Sequence, residues 1–403
     1  MAKARRALVI GGSVSGLLAG LMLREAGWNV DIFERVDSEL AGRGAGIVAQ
    51  PGLIARLRAL GLPTGDLGVQ SGGRKIYSAQ GQVTEAFDCP QIFTAWERLY
   101  RLLRDAFPAE RYHRGRGFER FEQNAGGVIA CFADGERIEA DLLIGADGIR
   151  SNVRAQLLPD VEPRYVGYVA WRAMLAEADI PRALRRELFA GMSFGLPPGE
   201  QFLGYPVAGS DNELREGHRR YNVIWYRPAD EAQLRWLLTD QAGTTHSISI
   251  PPPLIRRAAV AQMRADAERL LAPQFRQIVR LIGEPLLQPI YDLESRFMTE
   301  GHVVMLGDAA FVARPHLGAG VSKAADDVAA LVDALHAEAD ITQALTRFEA
   351  ARLPENRRLI ERARHLGAYL QASRTEEEQS RAGRHSTERA VLVETALLDF
   401  LDS

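Results

Sequence analysis

The sequence has few of the residues that build metal centres or disulfides. Its two cysteines, Cys89 and Cys131, lie too far apart to form a CxxC motif. The eight histidines are scattered and match no HExxH pattern. We therefore expect no metal site, and we expect a reducing, cytoplasmic compartment.

Strong charge and long apolar runs are also lacking. The formal net charge is −3, and no long basic run with interleaved aromatic residues occurs, so we expect no nucleic-acid partner. The start, "MAKARRALVIGGSVSGLLAG", has the basic and apolar order of a signal peptide. Glycines interrupt that run and charges return at Arg24 and Glu25, which argues against one. No other segment is long and apolar enough to span a bilayer, so we expect no membrane partner.

A glycine-rich turn is the first positive signal. The segment "ALVIGGSVSGLLAG" has glycine at the first and last positions of the GxGxxG template and serine at the middle one. An apolar run precedes it, a helical pattern follows, and "NVDIFE" (29–34) alternates like a second strand. A serine hydroxyl can donate to a phosphate oxygen, and the helix N-terminus then faces the anion. The predicted cofactor-binding residues here are Gly11, Ser13, Val14, Ser15 and Gly16.

An acidic residue follows this turn at the end of the second predicted strand. Glu34 lies 18 residues beyond Gly16, at a position where a carboxylate accepts hydrogen bonds from the ribose hydroxyls of an adenosine. A glutamate disfavours a phosphate on that ribose, so FAD or NAD fits and NADP does not. Its neighbour Arg35 is included in the predicted cofactor site.

Two later strands also end in glycine and aspartate. "DLLIGADG" ends in an Asp-Gly pair, although an ordinary turn would look the same. The strand in "HVVMLGDAA" ends in the pair Gly307 and Asp308, whose aspartate would alternatively cap a helix. Beyond it, "GAG" opens a long helix whose N–H groups would stabilise a reduced, anionic flavin. The predicted contacts in these segments are Asp147, Gly148, Asp308, Gly318, Ala319 and Gly320.

Together, these segments resemble the single-component FAD-dependent aromatic hydroxylases of the p-hydroxybenzoate hydroxylase fold. The stretches "VIGGSVSGL", "GIVAQP", "ERYH", "GYVAWR" and "GDAA…RPH" are most similar to the branch of 2,6-dihydroxypyridine 3-hydroxylase-like monooxygenases, which also have serine at the middle glycine position. The resemblance runs from residue 5 to about 360. It implies an α/β fold: a Rossmann-like FAD-binding domain assembled from discontinuous segments, a β-sheet substrate domain and C-terminal helices.

The expected domain boundaries follow the change in pattern along the chain. We assign 1–73, 96–162 and 286–360 to the FAD-binding domain, 74–95 and 163–285 to a β-rich substrate domain, and 361–403 to a C-terminal helical region. The segment 386–403 is predicted to be an amphipathic helix that packs on the protein body or on a second subunit, so a homodimer stays open.

The resemblance also implies a reaction. NADH or NADPH reduces FAD, O₂ adds to the flavin, and the C4a-hydroperoxide hydroxylates an electron-rich ring such as a hydroxypyridine or a phenol. Further cofactor contacts implied are Arg43, Arg98 and Pro315, although Arg43 reads equally well as a solvated loop residue. Two alternatives are a reductase or epoxidase of the same fold that acts on an apolar substrate, and a non-catalytic flavin-binding protein.

The substrate end is predicted less directly. His316 is the candidate to deprotonate the ring hydroxyl, and Tyr205 is placed beside the ring. An aromatic β layer would keep water out, although most of its members are expected to be ordinary core; they are Trp171, Phe194, Phe202, Tyr205 and Trp225. Arg172 and Arg314 are the cations considered for a substrate carboxylate, without an assigned place.

Overall fold

The computed structural model describes residues 4–40, 46–124 and 126–401. Its strands are β1 Arg6–Ile10, β2 Asn29–Phe33, β3 Gly46–Ala49, β4 Val69–Tyr77, β5 Val83–Ala95, β6 Tyr112–His113, β7 Phe118–Asn124, β8 Gly127–Phe132, β9 Arg137–Ala140, β10 Leu142–Gly145, β11 Arg164–Ala176, β12 Gly191–Gly195, β13 Gln201–Val207, β14 Arg220–Pro228, β15 Leu286–Glu294, β16 Thr299–Glu300, β17 Val303–Met305 and β18 Phe311–Val312. Its α-helices are α1 Val14–Glu25, α2 Pro51–Ala59, α3 Trp96–Ala106, α4 Asn152–Leu157, α5 Arg182–Leu188, α6 Glu231–Leu238, α7 Arg257–Leu270, α8 Pro273–Leu281, α9 Gly320–Ala337, α10 Ile341–Gly367, α11 Glu376–His385 and α12 Glu388–Glu394.

The first large sheet has six strands in the order β16-β17-β10-β1-β2-β6. All neighbours pair in parallel except the edge strand β16. In register, Leu8 lies opposite Leu143, and Ile144 lies opposite Val304. These strands are almost continuously apolar, as expected for a parallel sheet buried on both faces. The carboxyl ends of β1, β10 and β17 lie side by side, which confirms the predicted nucleotide-binding layer built from separated segments.

The second large sheet has nine strands in the order β18-β15-β11-β14-β13-β12-β4-β5-β3. Its two faces differ because side chains alternate along each strand. One face packs against helices α5, α7 and α8 around Trp171, Phe202 and Trp225. The other face includes Tyr205 and Tyr226 and looks toward the carboxyl edge of the first sheet. The three strands β7, β8 and β9 form a separate small sheet.

Sheet membership differs from the expected boundaries at several points. Strand β3 and the first half of β4 pair in the nine-stranded sheet, although they fall within 1–73, which we assigned to the FAD-binding domain. Strand β15 does the same within 286–360. These strands lie beside cofactor segments in the sequence, and only their long-range pairing shows which sheet they join.

The C-terminal region differs from its prediction. A single helix over 386–403 is wrong, because α12 ends at Glu394 and Ala396 takes a positive φ of 54°. A non-glycine residue rarely adopts this conformation, so the chain turns there. The following apolar residues pack against a cluster of the protein body that includes Leu317 and Leu359.

The described residues contain neither a membrane-spanning helix nor a metal-binding group of side chains. None of the helices there combines the length and hydrophobicity that crossing a bilayer requires. In the same part of the chain, the histidine, cysteine and acidic side chains form no group of three or more that is arranged to hold a metal ion.

Candidate active site

The glycine-rich turn between β1 and α1 depends on close backbone packing. Gly11 has a φ of 106°, and a Cβ there would lie 2.4 Å from the carbonyl oxygen of Ala146. A Cβ on Gly16 would lie 1.8 Å from the carbonyl oxygen of Gly11. Ser13 is the N-cap residue of α1, and its hydroxyl makes no capping hydrogen bond. The turn therefore offers uncapped N–H groups and a serine hydroxyl, which are the donors that a phosphate accepts.

Glu34 is buried and bonded to the backbone of this turn. Its Oε2 accepts from the Gly12 N–H at 2.9 Å, and its Oε1 accepts from the Val36 N–H at 2.9 Å. Each carboxylate oxygen keeps a second lone pair, so a ribose hydroxyl can still donate to it. This structural role is additional to the predicted one. Arg35, the next residue, has an exposed side chain.

Asp147, which follows β10, has one carboxylate oxygen that is bonded to the backbone and one that is free to accept a hydrogen bond. Its Oδ2 accepts from the Asn152 N–H at 2.7 Å. Its Oδ1 is buried and has no hydrogen-bond partner within the described part of the chain. Burial raises the pKa of this carboxyl. A buried acceptor without a donor is costly, and a hydroxyl or N–H of a bound cofactor would satisfy it. Gly148 continues the turn with a φ of 76°.

Asp308 and the start of α9 form the third part of this edge. Gly318 has a φ of 58°, and α9 then begins at Gly320 without a side-chain cap. Asp308 is exposed at the cavity surface. Partial desolvation by the surrounding protein raises the pKa of its carboxyl, whereas the nearby Lys323 lowers it. The unpaired N–H groups of the first helical turn carry partial positive charge, so they favour an anionic flavin ring.

A cavity of about 360 Å³ lies between this edge and the nine-stranded sheet. It brings together many of the residues singled out from the sequence. Those that line it are Ser13, Val14, Ser15, Arg172, Tyr205, Asp308, Arg314, Pro315, His316, Gly318, Ala319 and Gly320. An FAD molecule would therefore have its donors and acceptors on one wall, with room for a ring against the other.

Other predicted residues lie elsewhere. Arg98 lines a neighbouring cavity of about 200 Å³, and its buried Nε has no hydrogen-bond partner among the described residues. Arg43 falls outside the described residues. Gly11, Gly16, Glu34 and Gly148 support the turns that border the cavity.

His316 is buried in a polar cluster at the substrate end. Its Nε2 shares a hydrogen bond of 2.8 Å with the Tyr168 hydroxyl, and its ring centroid lies 4.8 Å from that of Tyr226. Burial, together with the charge of Arg314, lowers the pKa of His316 to about 3. The imidazole is therefore neutral at physiological pH. Arg314 itself pairs with Asp292 at 3.0 Å, so its charge is already compensated.

Tyr205 projects from β13 into the same cavity. Its ring lies 4.6 Å from Phe93, and a Cβ on Gly46 would lie 2.6 Å from the tyrosine ring. Burial raises the pKa of Tyr205 to about 12, so its hydroxyl remains protonated and can donate. The expected aromatic layer is divided by strand alternation. Three of its residues face the opposite side of the sheet, namely Trp171, Phe202 and Trp225.

Sequence reasoning missed several residues of this wall. Tyr226 and Tyr168 share the cavity side of the sheet with the apolar residues Met192, Leu203 and Ile224. The strand "RYNVIWY" could have indicated Tyr226, because this residue lies two positions after Ile224 and therefore shares its face of the sheet. The sequence does not say which of the two faces is turned to the cofactor.

The C-terminal segment, to which the sequence analysis assigned no site residue, forms part of the cavity wall. Thr395 and Ala396 line it. The buried Arg74 anchors this segment, because its Nη1 donates to the carbonyl oxygens of Leu392 at 2.7 Å and Thr395 at 2.5 Å. The Ala396 N–H also donates to the His316 carbonyl oxygen at 2.7 Å. No local sequence signal joins partners so far apart in the chain.

Comparison with known proteins agrees with this geometry. A family model described as FAD binding domain-like matches residues 165–292. The chain is 32% identical over 373 residues to 2,6-dihydroxypyridine 3-monooxygenase of Paenarthrobacter nicotinovorans, with 91% of each chain covered. It is 29% identical over 377 residues to 3-amino-4-hydroxybenzoate 2-monooxygenase of Streptomyces cremeus, covering 90% of this chain and 86% of that one. The solved structure of 2,6-dihydroxypyridine-3-hydroxylase from Arthrobacter nicotinovorans matches with a TM-score of 0.86 and 32% identity, covering 92% of this chain and 93% of that one.

Proposed function

Because the chain belongs to the family of FAD-dependent aromatic monooxygenases, we propose that the ring it hydroxylates is a hydroxypyridine. Family membership confirms the resemblance inferred from the glycine and aspartate segments. The protein uses FAD, NAD(P)H and O₂, and the bound flavin supplies the activation of oxygen. One observation carries the substrate proposal: a single cavity places polar ring-binding groups opposite the cofactor edge. The similarity to a dihydroxypyridine enzyme supports it.

We propose cofactor contacts along the carboxyl edge of the six-stranded sheet. The turn Gly11–Gly16, with Ser13, Val14 and Ser15, binds the pyrophosphate through its N–H groups and serine hydroxyls. Glu34, with Arg35 beside it, binds the adenosine ribose, and Asp147, Gly148 and Asp308 bind along the extended cofactor. Gly318, Ala319 and Gly320 stabilise the anionic flavin, and Pro315 lies beside its ring. The Oδ1 of Asp147, which has no partner in the described part of the chain, and the uncapped start of α9 support these assignments. Arg43 and Arg98 stay predictions.

At the substrate end, His316 and Tyr205 bind the ring hydroxyl. The neutral imidazole accepts a hydrogen bond from it, and the Tyr168 hydroxyl holds the imidazole in place. A pKa near 3 makes His316 a weak base, so its contribution is to orient the hydroxyl and to polarise it toward the oxyanion. The apolar side chains of Met192, Leu203 and Ile224 exclude water, which protects the reactive flavin from wasteful decay.

The test uses the FAD-loaded enzyme. We expect NADH oxidation to be stimulated most by hydroxypyridines, less by hydroxybenzoates, with little H₂O₂ released. The double variant H316Q/Y205F should still oxidise NADH, but the electrons should reduce O₂ mainly to H₂O₂ without hydroxylated product, because the ring is no longer held. Unchanged coupled product formation in that variant would refute the two residue roles. Stimulation by phenols but by no hydroxypyridine would refute the substrate class.

We also propose a cytoplasmic location, with NADH as the preferred reductant. Cys89 and Cys131 are buried and are not joined in a disulfide, an arrangement compatible with a reducing compartment. A comparison of kcat/KM for NADH and NADPH tests the second point. A homodimer stays a prediction, which sedimentation equilibrium would check; the C-terminal residues Leu398 and Leu401 already pack on their own chain.

A further inference from the structure

The substrate end of the cavity contains a positive charge that is not compensated. Among the residues that the structure describes, Arg172 has no carboxylate partner. Its Nη1 donates to the neutral Oε1 of Gln288 at 2.7 Å, and its Nε is buried without an acceptor. The other basic groups nearby differ, because Arg314 pairs with Asp292 and His316 is neutral. A partly buried charge without a counter-ion is costly, so this arrangement favours an incoming anion.

The position of Arg172 is fixed by the sheet. It lies in β11 between two paired strands, with Ile224 of β14 and Leu286 of β15 as its Cα partners. It lines the cavity together with Tyr205 and Tyr226. Its charge partly offsets the rise that burial causes in the pKa of both tyrosines, in agreement with this position.

The acidic group of the cavity lining belongs to the opposite wall. Asp308 follows β17 in the six-stranded sheet, on the cofactor edge. The cavity therefore has an acidic side that faces the cofactor and a basic side that faces the ring. A guanidinium donates charge-assisted hydrogen bonds to an anionic oxygen, and such bonds are roughly twice as strong as neutral ones.

We propose that Arg172 is a specificity-determining residue that binds an anionic oxygen of the aromatic substrate. The cavity then selects ring anions, either a deprotonated ring hydroxyl or a ring carboxylate, over neutral rings of the same size. Binding the oxyanion also increases electron density in the ring without requiring a strong base nearby. This inference rests on the proposed function, because it takes the cavity to be the substrate site.

The experiment measures binding and turnover with the FAD-loaded enzyme. Three ligands are titrated by calorimetry and by flavin absorbance: a dihydroxypyridine at a pH where its hydroxyl is ionised, a hydroxybenzoate, and the matching neutral hydroxybenzamide. We expect R172Q to weaken binding of the anions at least tenfold, to leave the benzamide unchanged, and to raise KM more than it lowers kcat. R172K should recover part of the loss, since it restores charge without the planar fork.

Arg164 provides the matched control, because it is an exposed arginine of the same strand, and R164Q should bind all three ligands as the wild type does. A loss confined to the hydroxybenzoate identifies a carboxylate site, and a loss for both anions identifies a general oxyanion site. If R172Q keeps the anion preference, or weakens the benzamide equally, the inference is overturned while the proposed function stands. If the wild-type enzyme responds to none of the rings, the proposed function is overturned, and the inference with it.

Discussion

The two large sheets contribute to one cavity by different means. The six-stranded sheet acts through the turns after β1, β10 and β17, where glycines, N–H groups and carboxylates meet at adjacent strand ends. The nine-stranded sheet acts through side chains on one face, such as Tyr205 and Tyr226. Backbone geometry is therefore critical at the first wall, and side-chain chemistry at the second. Substitutions in the two walls should differ in kind as well as in size.

The largest effect is expected from G16A at the first wall. The added Cβ would overlap the Gly11 carbonyl oxygen, so α1 must move away from the turn. We expect a loss of about 3 kcal/mol in the free energy of unfolding, typical of severe overpacking, and loss of bound FAD. Urea unfolding and the ratio of flavin to protein absorbance measure both. G52A is the control, because a Cβ on Gly52 meets open space. Full flavin content in G16A would contradict this account of the turn.

R74M should have the next largest effect, and it tests whether the second wall also needs backbone anchoring. The carbonyl groups of Leu392 and Thr395 would lose a charged donor, at a cost of about 2 kcal/mol. We expect the C-terminal segment to be cleaved by protease well before the rest of the chain. The exposed neighbour Lys75 gives the control K75M. Equal protease resistance in R74M and wild type would show that the anchor is dispensable.

The effect expected from H316Q is small at neutral pH and appears only on acidification. The folded-state pKa of His316 is about 3, below its ordinary value of 6.5. Below pH 6.5 the imidazole therefore binds a proton in the unfolded chain but not in the folded one. The free energy of unfolding then falls by about 1.4 kcal/mol per pH unit on acidification. H316Q should remove this slope between pH 6 and pH 4. Chemical unfolding across that range measures it, with the exposed His218 changed to Gln as the control. An identical slope in H316Q would mean that the imidazole is not neutral in the fold.

The smallest effect is expected from Y205F, which separates the two faces of the nine-stranded sheet. Loss of one neutral hydrogen bond of about 1 kcal/mol should raise KM for the ring about fivefold. Tyr221 lies on the opposite face, in the core cluster beneath the helices, so Y221F is the same chemical change outside the cavity. Steady-state kinetics should show no change for Y221F. If the two variants behave alike, the assignment of faces is wrong.

The first wall could be predicted from the sequence because its signals are short and contiguous. Gly11 and Gly16 stand five positions apart, and Asp147 and Asp308 each follow an apolar strand directly. Such motifs are set by local chain geometry. Parallel strand order then brings their carboxyl ends together without further information.

The second wall could be predicted only in part, since it depends on pairing across strands. Alternation indicates which residues share a face, but the choice between faces depends on the helices that cover the sheet. Trp171 and Trp225 therefore looked equivalent to Tyr205 and lie on the other side. Tyr168 and Arg74 have hydrogen-bond partners that are distant in the sequence and near only in the folded chain. The amphipathic pattern of 386–403 gives no indication of the positive φ of Ala396.

The anchoring of the C-terminal segment has a consequence for the time at which the enzyme becomes active. The Ala396 carbonyl oxygen accepts from the Gln50 side-chain amide, a partner 346 positions earlier in the chain. Ribosomes synthesise a polypeptide from its N-terminus, so the phosphate-binding turn emerges long before residue 396. A nascent chain would meet cellular flavin before its substrate wall is closed. A chain in which residue 396 has not yet reached Gln50 and His316 would therefore bind flavin beside a cavity with an incomplete wall.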